Sequence, residues 1–333
     1  MKYLHPNNNS ANVTSITSNG SLQWNLLVVY LIWICQFVVI GIGNGLLMCA
    51  VLSYRALRER KEYLLIMGLS GADAFNMLAY GTCGIYRIYL LVTNQFNEQS
   101  SVLSCVVQPF VFLWSFDRAS GVMLLIVSFD RLLCVAHPLR YVTLSHSYAI
   151  PLLIVAVIIG PGYWVLGFSI ALKQGDRLGQ VPAACFTGMV YYRINPYYFY
   201  ILMSFVPVIG VASVLVYIAV AVVYKRNKQS VVGIATQNSQ NLEKKRQSSL
   251  TRSLGLSCVC TLILLVIPIF LAFSGELLHF PRVVMQILWL FPNFNPFCNL
   301  IIFRAKQPEL IHAVKAMLQW KQMPDNLDVW NFG

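Results

Sequence analysis

The chain has 333 residues, of which 57% are hydrophobic and only 11% are charged. Soluble domains usually carry about 25% charged residues, so this composition excludes an ordinary soluble domain and predicts a polytopic membrane protein. The formal net charge of +12 would suggest nucleic-acid binding in a soluble protein, but in a membrane protein basic residues set the orientation of the chain. We therefore expect the lipid bilayer as a partner and no nucleic acid.

Residues 1–24 form a polar tail that is rich in Asn and Ser. The tail lacks the charged and apolar segments that mark a cleavable signal peptide. It contains three Asn-x-Ser/Thr sequons, at Asn8, Asn12 and Asn19, and such sequons are glycosylated where they reach the secretory lumen. We expect an extracellular, glycosylated tail. The alternative is a polar tail without sugar.

Seven apolar segments long enough to cross a bilayer follow within residues 25–304. They cover residues 26–52, 63–86, 102–136, 148–172, 194–224, 254–274 and 283–303. Of the 24 Lys and Arg residues, 17 lie in the loops after the first, third and fifth spans, in the C-terminal tail or, in the case of Arg131, near the end of the third span. Because basic loops stay in the cytoplasm, we expect a plasma-membrane protein with an extracellular N-terminus and a cytoplasmic C-terminus.

Residues 305–333 follow the last span. Pro308 suits the first turn of a helix, and Leu310, Ile311 and Val314 recur after it at helical spacing. The pattern predicts a short amphipathic helix on the inner membrane face, followed by a cytoplasmic tail. The predicted fold class is an all-α membrane protein, a seven-transmembrane helix bundle with a short amphipathic C-terminal helix.

Ionisable residues stand at the end of the third span, near the membrane boundary. Burying a charge there costs free energy unless the charge is paired, hydrated or required for function. Asp130 and Arg131 are adjacent, and the next loop carries a Pro-Leu pair that ends in Leu139. This pattern resembles the rhodopsin-like (class A) G-protein-coupled receptors, whose third helix ends in Asp-Arg-Tyr, with Leu132 here in place of the Tyr. The resemblance implies a receptor domain over residues 25–304 and no enzyme activity. It also implies a heterotrimeric G protein as partner, contacted through Asp130, Arg131 and Leu139.

Polar residues inside the spans extend the resemblance. Asn44, Asp73, Ser120 and Asn295 stand at family positions in spans one, two, three and seven. In the family such residues meet in mid-bundle, where a carboxylate must be neutral, hydrated or paired. The resemblance implies that Asp73, Ser120 and Asn295 hold a sodium ion with water, with Asp73 and Ser120 as tentative ligands. No other cofactor is expected, and the alternative is a polar packing network with water and no ion.

Two cysteines and three prolines match further family positions. The resemblance implies an extracellular disulfide between Cys105 and Cys185, which would tie the second outer loop over the bundle as a lid. Pro207, Pro268 and Pro296 stand where the family bends its helices, because a proline removes one helical hydrogen bond and creates a pivot. The alternative is that membrane helices simply tolerate proline more often.

Several positions depart from the family pattern. Val266 stands where a Trp is usual before the span-six proline, and Asn299 replaces the Tyr of the Asn-Pro-x-x-Tyr motif. Ser248 occupies the position of an acid that often pairs with the span-three Arg, so we expect Arg131 to rest on Asp130 alone. These departures resemble a divergent branch such as the nematode serpentine chemoreceptors of the class x type.

The ligand site is the part of the chain that the sequence constrains least. Leu113 stands where amine receptors carry an Asp, and Trp289 stands at the retinal Lys position of opsins, so neither class is favoured. We expect an outer cavity lined by Tyr86, Arg87, Trp114, Asp117, Arg118 and Trp289. The alternative is that Asp117 and Arg118 pair with other spans, for example Arg118 with Glu276 or with a carbonyl.

The expected function is a receptor for an extracellular ligand, of the small-molecule or odorant type, that activates a heterotrimeric G protein. A peptide or neurotransmitter receptor of the same fold is an alternative. A non-signalling decoy receptor is another, because of the altered motifs. A transporter is less in keeping with the sequence, since the two halves show no repeat and the number of spans is odd.

Overall fold

The computed structural model describes residues 20–230, 255–278 and 290–320, together with positions 280, 284 and 288. Within these residues five helices are long and apolar enough to cross a membrane, namely Trp24–Ser53, Pro109–Ala136, His146–Gln174, Pro196–Arg226 and Gly255–Ala272. They correspond to the predicted spans one, three, four, five and six. The prediction of an all-α membrane protein is confirmed.

The remaining elements complete the bundle. The first span comprises Gly20–Gln36, a π turn at Phe37–Gly41, and Ile42–Ser53. The second span is the 32-residue helix Lys61–Val92, which follows the short helix Arg55–Arg58. The fourth is Ala149–Gln174 and the fifth is Pro196–Ser230. The described part of the seventh span contains the 3-10 turn Phe291–Phe294 and the helix Asn295–Lys306.

The predicted third span, residues 102–136, is not one continuous helix. The structure divides it into Val102–Val106, Pro109–Leu113 and Phe116–Ala136. Gln108 is extended, with φ −60° and ψ 134°, because the ring of a proline disfavours the helical conformation of the residue before it. Pro109 then begins the next helix, at a position where its missing N–H costs nothing. We call the end of the bundle near Cys105 the outer end and the end near Arg131 the inner end.

The prolines of the fifth and sixth spans lie within helices. Pro207 lies inside the helix Pro196–Ser230. In the sixth span the π turn Leu262–Val266 precedes the helix Ile267–Leu278, which contains Pro268. A wider π turn accommodates the clash of a proline ring with the carbonyl one turn earlier. Pro296 occupies the first turn of its helix, where proline disturbs no hydrogen bond, so it does not break the helix there.

The loops at the outer end are joined in two ways. Strand β1, Gln99–Ser101, pairs antiparallel with strand β2, Gln180–Pro182, with Ser100 opposite Val181. Cys105 and Cys185 form a disulfide, as the resemblance implies. The short helix Thr187–Ile194 follows and leads into the fifth span. The second outer loop is thereby fixed to the start of the third span.

Within the part of the chain that the structure describes, the core contains two apolar clusters, one toward each end. The inner cluster includes Tyr63, Met123, Phe303 and Leu310, and so joins spans two, three and seven to the C-terminal helix Pro308–Leu318. The outer cluster includes Phe110, Tyr191 and Leu202 together with the cystine. Large apolar side chains of the fourth and fifth spans stay exposed, such as Val157, Ile158, Val208 and Ile218. Exposed apolar faces on long helices are expected where lipid replaces water.

Candidate functional site

The inner end of the third span holds a buried ion pair. Asp130 and Arg131 are 0% and 1% exposed, and Arg131 Nε donates to Asp130 Oδ2 over 3.0 Å. The Tyr141 hydroxyl lies between them, because it accepts from Arg131 Nη2 at 2.9 Å and donates to Asp130 Oδ2 at 3.1 Å. The expectation that Arg131 rests on Asp130 alone is therefore wrong. Removing a charged group from water is costly, and the hydroxyl satisfies part of the hydrogen-bonding capacity that remains.

Lys61 at the start of the second span positions the helix Pro138–Thr143, which carries Tyr141. Its ammonium donates to the Tyr141 carbonyl and, at 2.9 Å, to the Leu144 carbonyl. It also lies 3.8 Å from the centre of the Tyr141 ring. A cation that binds the last carbonyls of a helix satisfies orphan acceptors and complements the helix dipole. Sequence reasoning missed Lys61, because it reads as one more member of a basic loop.

The same short helix presents two apolar side chains outward. Leu139 is 87% exposed and Val142 is 76% exposed. They lie three residues apart, and therefore on the same face of the helix. The helix that carries this face also carries Tyr141, which bonds Asp130 and Arg131; contact of Leu139 with a G protein stays a prediction.

Two polar contacts link the second and third spans in mid-bundle. The Ser120 hydroxyl donates to Asp73 Oδ1, and Asn76 Nδ2 donates to Asp117 Oδ1 over 3.4 Å. Residues three apart on a helix share a face, so the two contacts lie one above the other. The structure thus brings Asp73 and Ser120 together as predicted, and adds a second carboxylate that the sequence had assigned to the ligand pocket.

Two asparagines of the seventh span face the sixth span. Thr261 Oγ1 donates to Asn295 Oδ1 over 3.0 Å, and Ser257 donates to Asn299 Oδ1. Both asparagines line a small cavity with Asp117 and Ser120, which has room for about one water-sized particle. Asn295 therefore borders the predicted site but is bonded to the sixth span rather than to Asp73.

Asn44 does not join this network by a hydrogen bond. Its Nδ2 donates to the Ile40 carbonyl over 3.0 Å, within its own span. Ile40 lies in the π turn Phe37–Gly41, where the i→i+5 pattern leaves a carbonyl available to a side chain. The Asn44 Oδ1 has no hydrogen-bond partner within the described residues, and the place of Asn44 in the mid-bundle network stays a prediction.

Arg87 and Tyr86 hold the second outer loop. Arg87 donates to the carbonyls of Ala184 at 2.9 Å and of Cys185 at 3.3 Å, and its guanidinium lies 4.7 Å from the centre of the Phe186 ring. The Tyr86 hydroxyl donates to the Ala183 carbonyl over 3.0 Å. Both side chains were predicted to line the ligand cavity. Their polar groups are instead engaged by backbone beside the disulfide.

Asp117 and Arg118, in the outer part of the third span, point in different directions. Arg118 Nη1 donates to the Trp114 carbonyl of its own span over 3.0 Å, so pairing of Arg118 with another span stays a prediction. The Trp114 ring packs edge-on against Tyr80, with centroids 5.2 Å apart. Asp117 borders the small cavity described above. Trp289 and the Glu276 side chain lie outside the described residues, as do Ser248 and the three sequons.

The structure is a bundle of membrane-crossing helices. Its central span has a buried acid–base pair at one end and a disulfide at the other, and this arrangement is typical of multi-pass membrane receptors. Residues 43–303 match the model of the 7 transmembrane receptor (rhodopsin family). Because the match covers more than half of the 333 residues, the chain belongs to the rhodopsin family of seven-transmembrane receptors. The members of this family are receptors and not enzymes.

Similar proteins include three human olfactory receptors. The chain is 30% identical to olfactory receptor 52B4 over 122 residues, which is 37% of each chain. It is 28% identical to olfactory receptor 4Q2 over 133 residues, 39% of each chain, and 28% identical to olfactory receptor 10H1 over 117 residues, 34% of each chain. These alignments span well under half the length of the relatives. The nematode chemoreceptor branch stays a prediction.

Proposed function

We propose that this protein is a chemosensory G-protein-coupled receptor that binds a small extracellular molecule of the odorant type and activates a heterotrimeric G protein. The observation that carries the proposal is the inner end of the third span. Asp130 and Arg131 are buried and held by Tyr141, while Leu139 is exposed beside them. The names of the relatives support the chemosensory assignment, since three of them are olfactory receptors.

Activation in this proposal exchanges one partner of Arg131 for another. In the resting arrangement Arg131 is 1% exposed and engaged by Asp130 and Tyr141. When the sixth span moves outward about Pro268, Arg131 meets the G protein and Leu139 enters an apolar pocket of that partner. A ligand shifts this equilibrium only by its difference in affinity for the two arrangements.

The orientation in the plasma membrane follows from charge and redox chemistry. Basic residues cluster in the loops at the inner end, which favours the cytoplasm for that side. The disulfide at the outer end favours the oxidising extracellular side. Residues 1–24 then lie outside with Asn8, Asn12 and Asn19 available for glycosylation, residues 25–304 form the receptor domain, and residues 305–333 lie in the cytoplasm.

We also propose a cation site in mid-bundle. Asp73 and Ser120 are in direct contact, and Asn295 borders the same cavity as Ser120. Carboxylate, hydroxyl and amide oxygens are hard ligands of the kind that sodium accepts. The site would hold sodium in the resting receptor through Asp73 and Ser120, and sodium is the cofactor that this arrangement would accommodate.

The test is a signalling assay in cells that express the full chain and a promiscuous G protein. Cells are exposed to a panel of volatile and water-soluble small molecules and short peptides, and wild type is compared with Arg131→Ala and Leu139→Ala. Val92→Ala is the matched control, since Val92 is a 75% exposed apolar residue at the outer end. All variants are compared at equal surface expression.

A response that is lost in Arg131→Ala, reduced in Leu139→Ala and kept in Val92→Ala is the expected result. A response to a peptide alone would replace the odorant assignment with a peptide-receptor assignment. Ligand binding without a signal in wild type would refute G-protein activation. Such a result would favour a decoy receptor, in keeping with Val266 and Asn299 at the two altered motif positions.

A further inference from the structure

The third span carries a buried cation in its outer part. Arg118 lies in the helix Phe116–Ala136 and is 7% exposed. Its Nη1 donates to the Trp114 carbonyl over 3.0 Å, whereas its Nε has no hydrogen-bond partner within the described residues. The ion pairs that form among these residues do not include it. Because a charge taken out of water is costly without a counter-charge, Arg118 calls for an anionic partner.

The carboxylate of the preceding residue is not that partner. Asp117 and Arg118 are adjacent on the helix and therefore point about 100° apart. Asn76 Nδ2 of the second span donates to Asp117 Oδ1 over 3.4 Å. The charge of Arg118 acts instead on the hydroxyls of Tyr191 and Tyr198, at the start of the fifth span. The acid thus faces the second span, and the base faces the fifth.

The side chains around Arg118 offer further hydrogen-bond donors. Ser115 lies three residues before Arg118, on the same face of the span, and its buried hydroxyl has no partner within the described residues. The rings of Tyr191 and Tyr198 lie 5.7 Å apart. The Tyr198 hydroxyl donates to the Tyr163 carbonyl, so we assign Tyr191 as the phenolic donor of this group.

We propose that Arg118 anchors a ligand that carries one carboxylate on an apolar body, namely a fatty or aromatic monocarboxylic acid. This inference rests on the receptor function proposed above and names its ligand class. The guanidinium presents its N–H groups as a planar fork that matches a carboxylate, and Ser115 and Tyr191 supply further donors. The outer cluster around this group is apolar, with Phe110 and Leu202 among its members, so the rest of the ligand is apolar as well.

Space for the body of the ligand begins one turn inward from Arg118. Gly121 lies three residues after Arg118 and lines the small cavity together with Val206 of the fifth span. Since this cavity has room for about one water-sized particle, a ligand enters only by separating the third and fifth spans. Pro207 follows Val206, and the hydrogen bond that a proline removes allows the fifth span to bend there. Binding of the acid therefore favours an arrangement of the bundle that differs from the resting one.

The test compares acids with neutral molecules of the same shape. Cells that express the full chain and a promiscuous G protein receive butanoic to decanoic acid, benzoic acid, and the primary amide and alcohol that match each acid. The acids are ionised at neutral pH. Wild type is compared with Arg118→Gln, Arg118→Lys and Tyr191→Phe at equal surface expression. Arg177→Gln is the matched control, since Arg177 is an exposed arginine of the outer loop.

A second measurement does not depend on signalling. The melting temperature of the purified full-length receptor is recorded with the same acids, amides and alcohols, because a ligand that binds the folded state raises it. The ratio of acid potency to amide potency is compared in both measurements. A purely structural role of Arg118 would weaken both ligand types alike, whereas a carboxylate anchor changes this ratio.

Acids are expected to act on wild type and on Arg177→Gln at lower concentrations than their amides and alcohols. Arg118→Gln raises the half-maximal concentration of an acid by about tenfold or more, and Tyr191→Phe raises it by about threefold to tenfold. The amide is affected much less in both variants. Arg118→Lys keeps the charge and lies between wild type and Arg118→Gln. If Arg118→Gln does not reach the cell surface, the fall in the acid-to-amide ratio in Arg118→Lys and Tyr191→Phe decides the matter.

The outcomes separate this inference from the receptor function itself. Amides as potent as acids, or a response to acids that survives in Arg118→Gln, would overturn the acid site and leave the receptor function standing. Acids that stabilise purified wild type but not Arg118→Gln, without any signal in cells, would support the acid site and overturn G-protein activation. Acids that neither signal nor stabilise the receptor would overturn the acid site.

An internal partner for Arg118 is tested by a double-mutant cycle with Glu276 of the sixth span. Glu276→Gln, Arg118→Gln and the double variant are compared by melting temperature without ligand. Effects of the two changes that simply add are expected, because groups that do not interact are independent. A double variant that is no less stable than either single variant would assign the anionic partner to Glu276 and overturn the acid site.

Discussion

Replacing Tyr141 by Phe tests whether the buried ion pair keeps the receptor in its resting state. The change removes the hydroxyl that bonds Arg131 at 2.9 Å and Asp130 at 3.1 Å. It keeps the ring that packs against Lys61 at 3.8 Å. Burial raises the pKa of Tyr141 well above its ordinary value, so the hydroxyl carries its proton at any physiological pH and acts as a donor to Asp130.

The expected effect can be estimated from these contacts. Hydrogen bonds to charged groups contribute about 1.5–3 kcal/mol. If the contacts exist only in the resting arrangement, their loss shifts the equilibrium toward the active arrangement by about 10- to 150-fold. Tyr141→Phe should therefore raise signalling in the absence of ligand and lower the melting temperature of the purified receptor.

The assay measures basal second-messenger output at matched surface expression, with Tyr148→Phe as the control. Tyr148 lies in the same loop, and within the described residues its hydroxyl makes no hydrogen bond. The control should behave like wild type. Basal output and melting temperature that are both unchanged in Tyr141→Phe would refute the view that the hydroxyl stabilises the resting state.

Three further predictions concern packing and movement. Gly160→Ala should lower stability by about 1–3 kcal/mol, since its Cβ would lie 2.9 Å from the backbone oxygen of Ser115 in the third span. Gly162→Ala, with nothing within 4 Å, should be neutral, and equal melting temperatures for the two variants would contradict this packing. Arg87→Gln should lower both thermal stability and ligand affinity, because it weakens the hold on the outer loop; wild-type values for both would show that the loop does not depend on this anchor. A mild oxidant should join Cys260 of the sixth span to Cys298 of the seventh, two free thiols that interact electrostatically, and an agonist should slow the reaction by moving the sixth span. Peptide mapping detects the link, Cys298→Ser is the control, and a rate unaffected by agonist would count against that movement.

Several parts of the structure could be predicted from residue pattern and resemblance. The apolar segments predicted the membrane helices, because a bilayer requires uninterrupted apolar length whatever the helices pack against. The resemblance implied the disulfide between Cys105 and Cys185, which the structure contains. The contact between Asp73 and Ser120 was also expected.

Other features depended on which side chains meet across the bundle. Arg87 was predicted to follow the second span directly and to line the outer cavity, but sequence could not show that its guanidinium binds loop carbonyls. Lys61 and Tyr141 each looked like ordinary loop residues until their contacts were seen. Helical periodicity gives the face on which a residue lies, whereas its partner depends on how the helices are arranged.

The sequence by itself determined the class of protein and the positions of its membrane helices, since these follow from local composition and from motifs read along the chain. Only the tertiary structure decided that Lys61 of the second span binds the carbonyls of Tyr141 and Leu144 and that Asp117 and Ser120 share a cavity with Asn295. Hydrogen bonds between spans depend on differences of about 1 Å between donor and acceptor. Such distances are set by the packing of several helices at once, which no single stretch of sequence specifies.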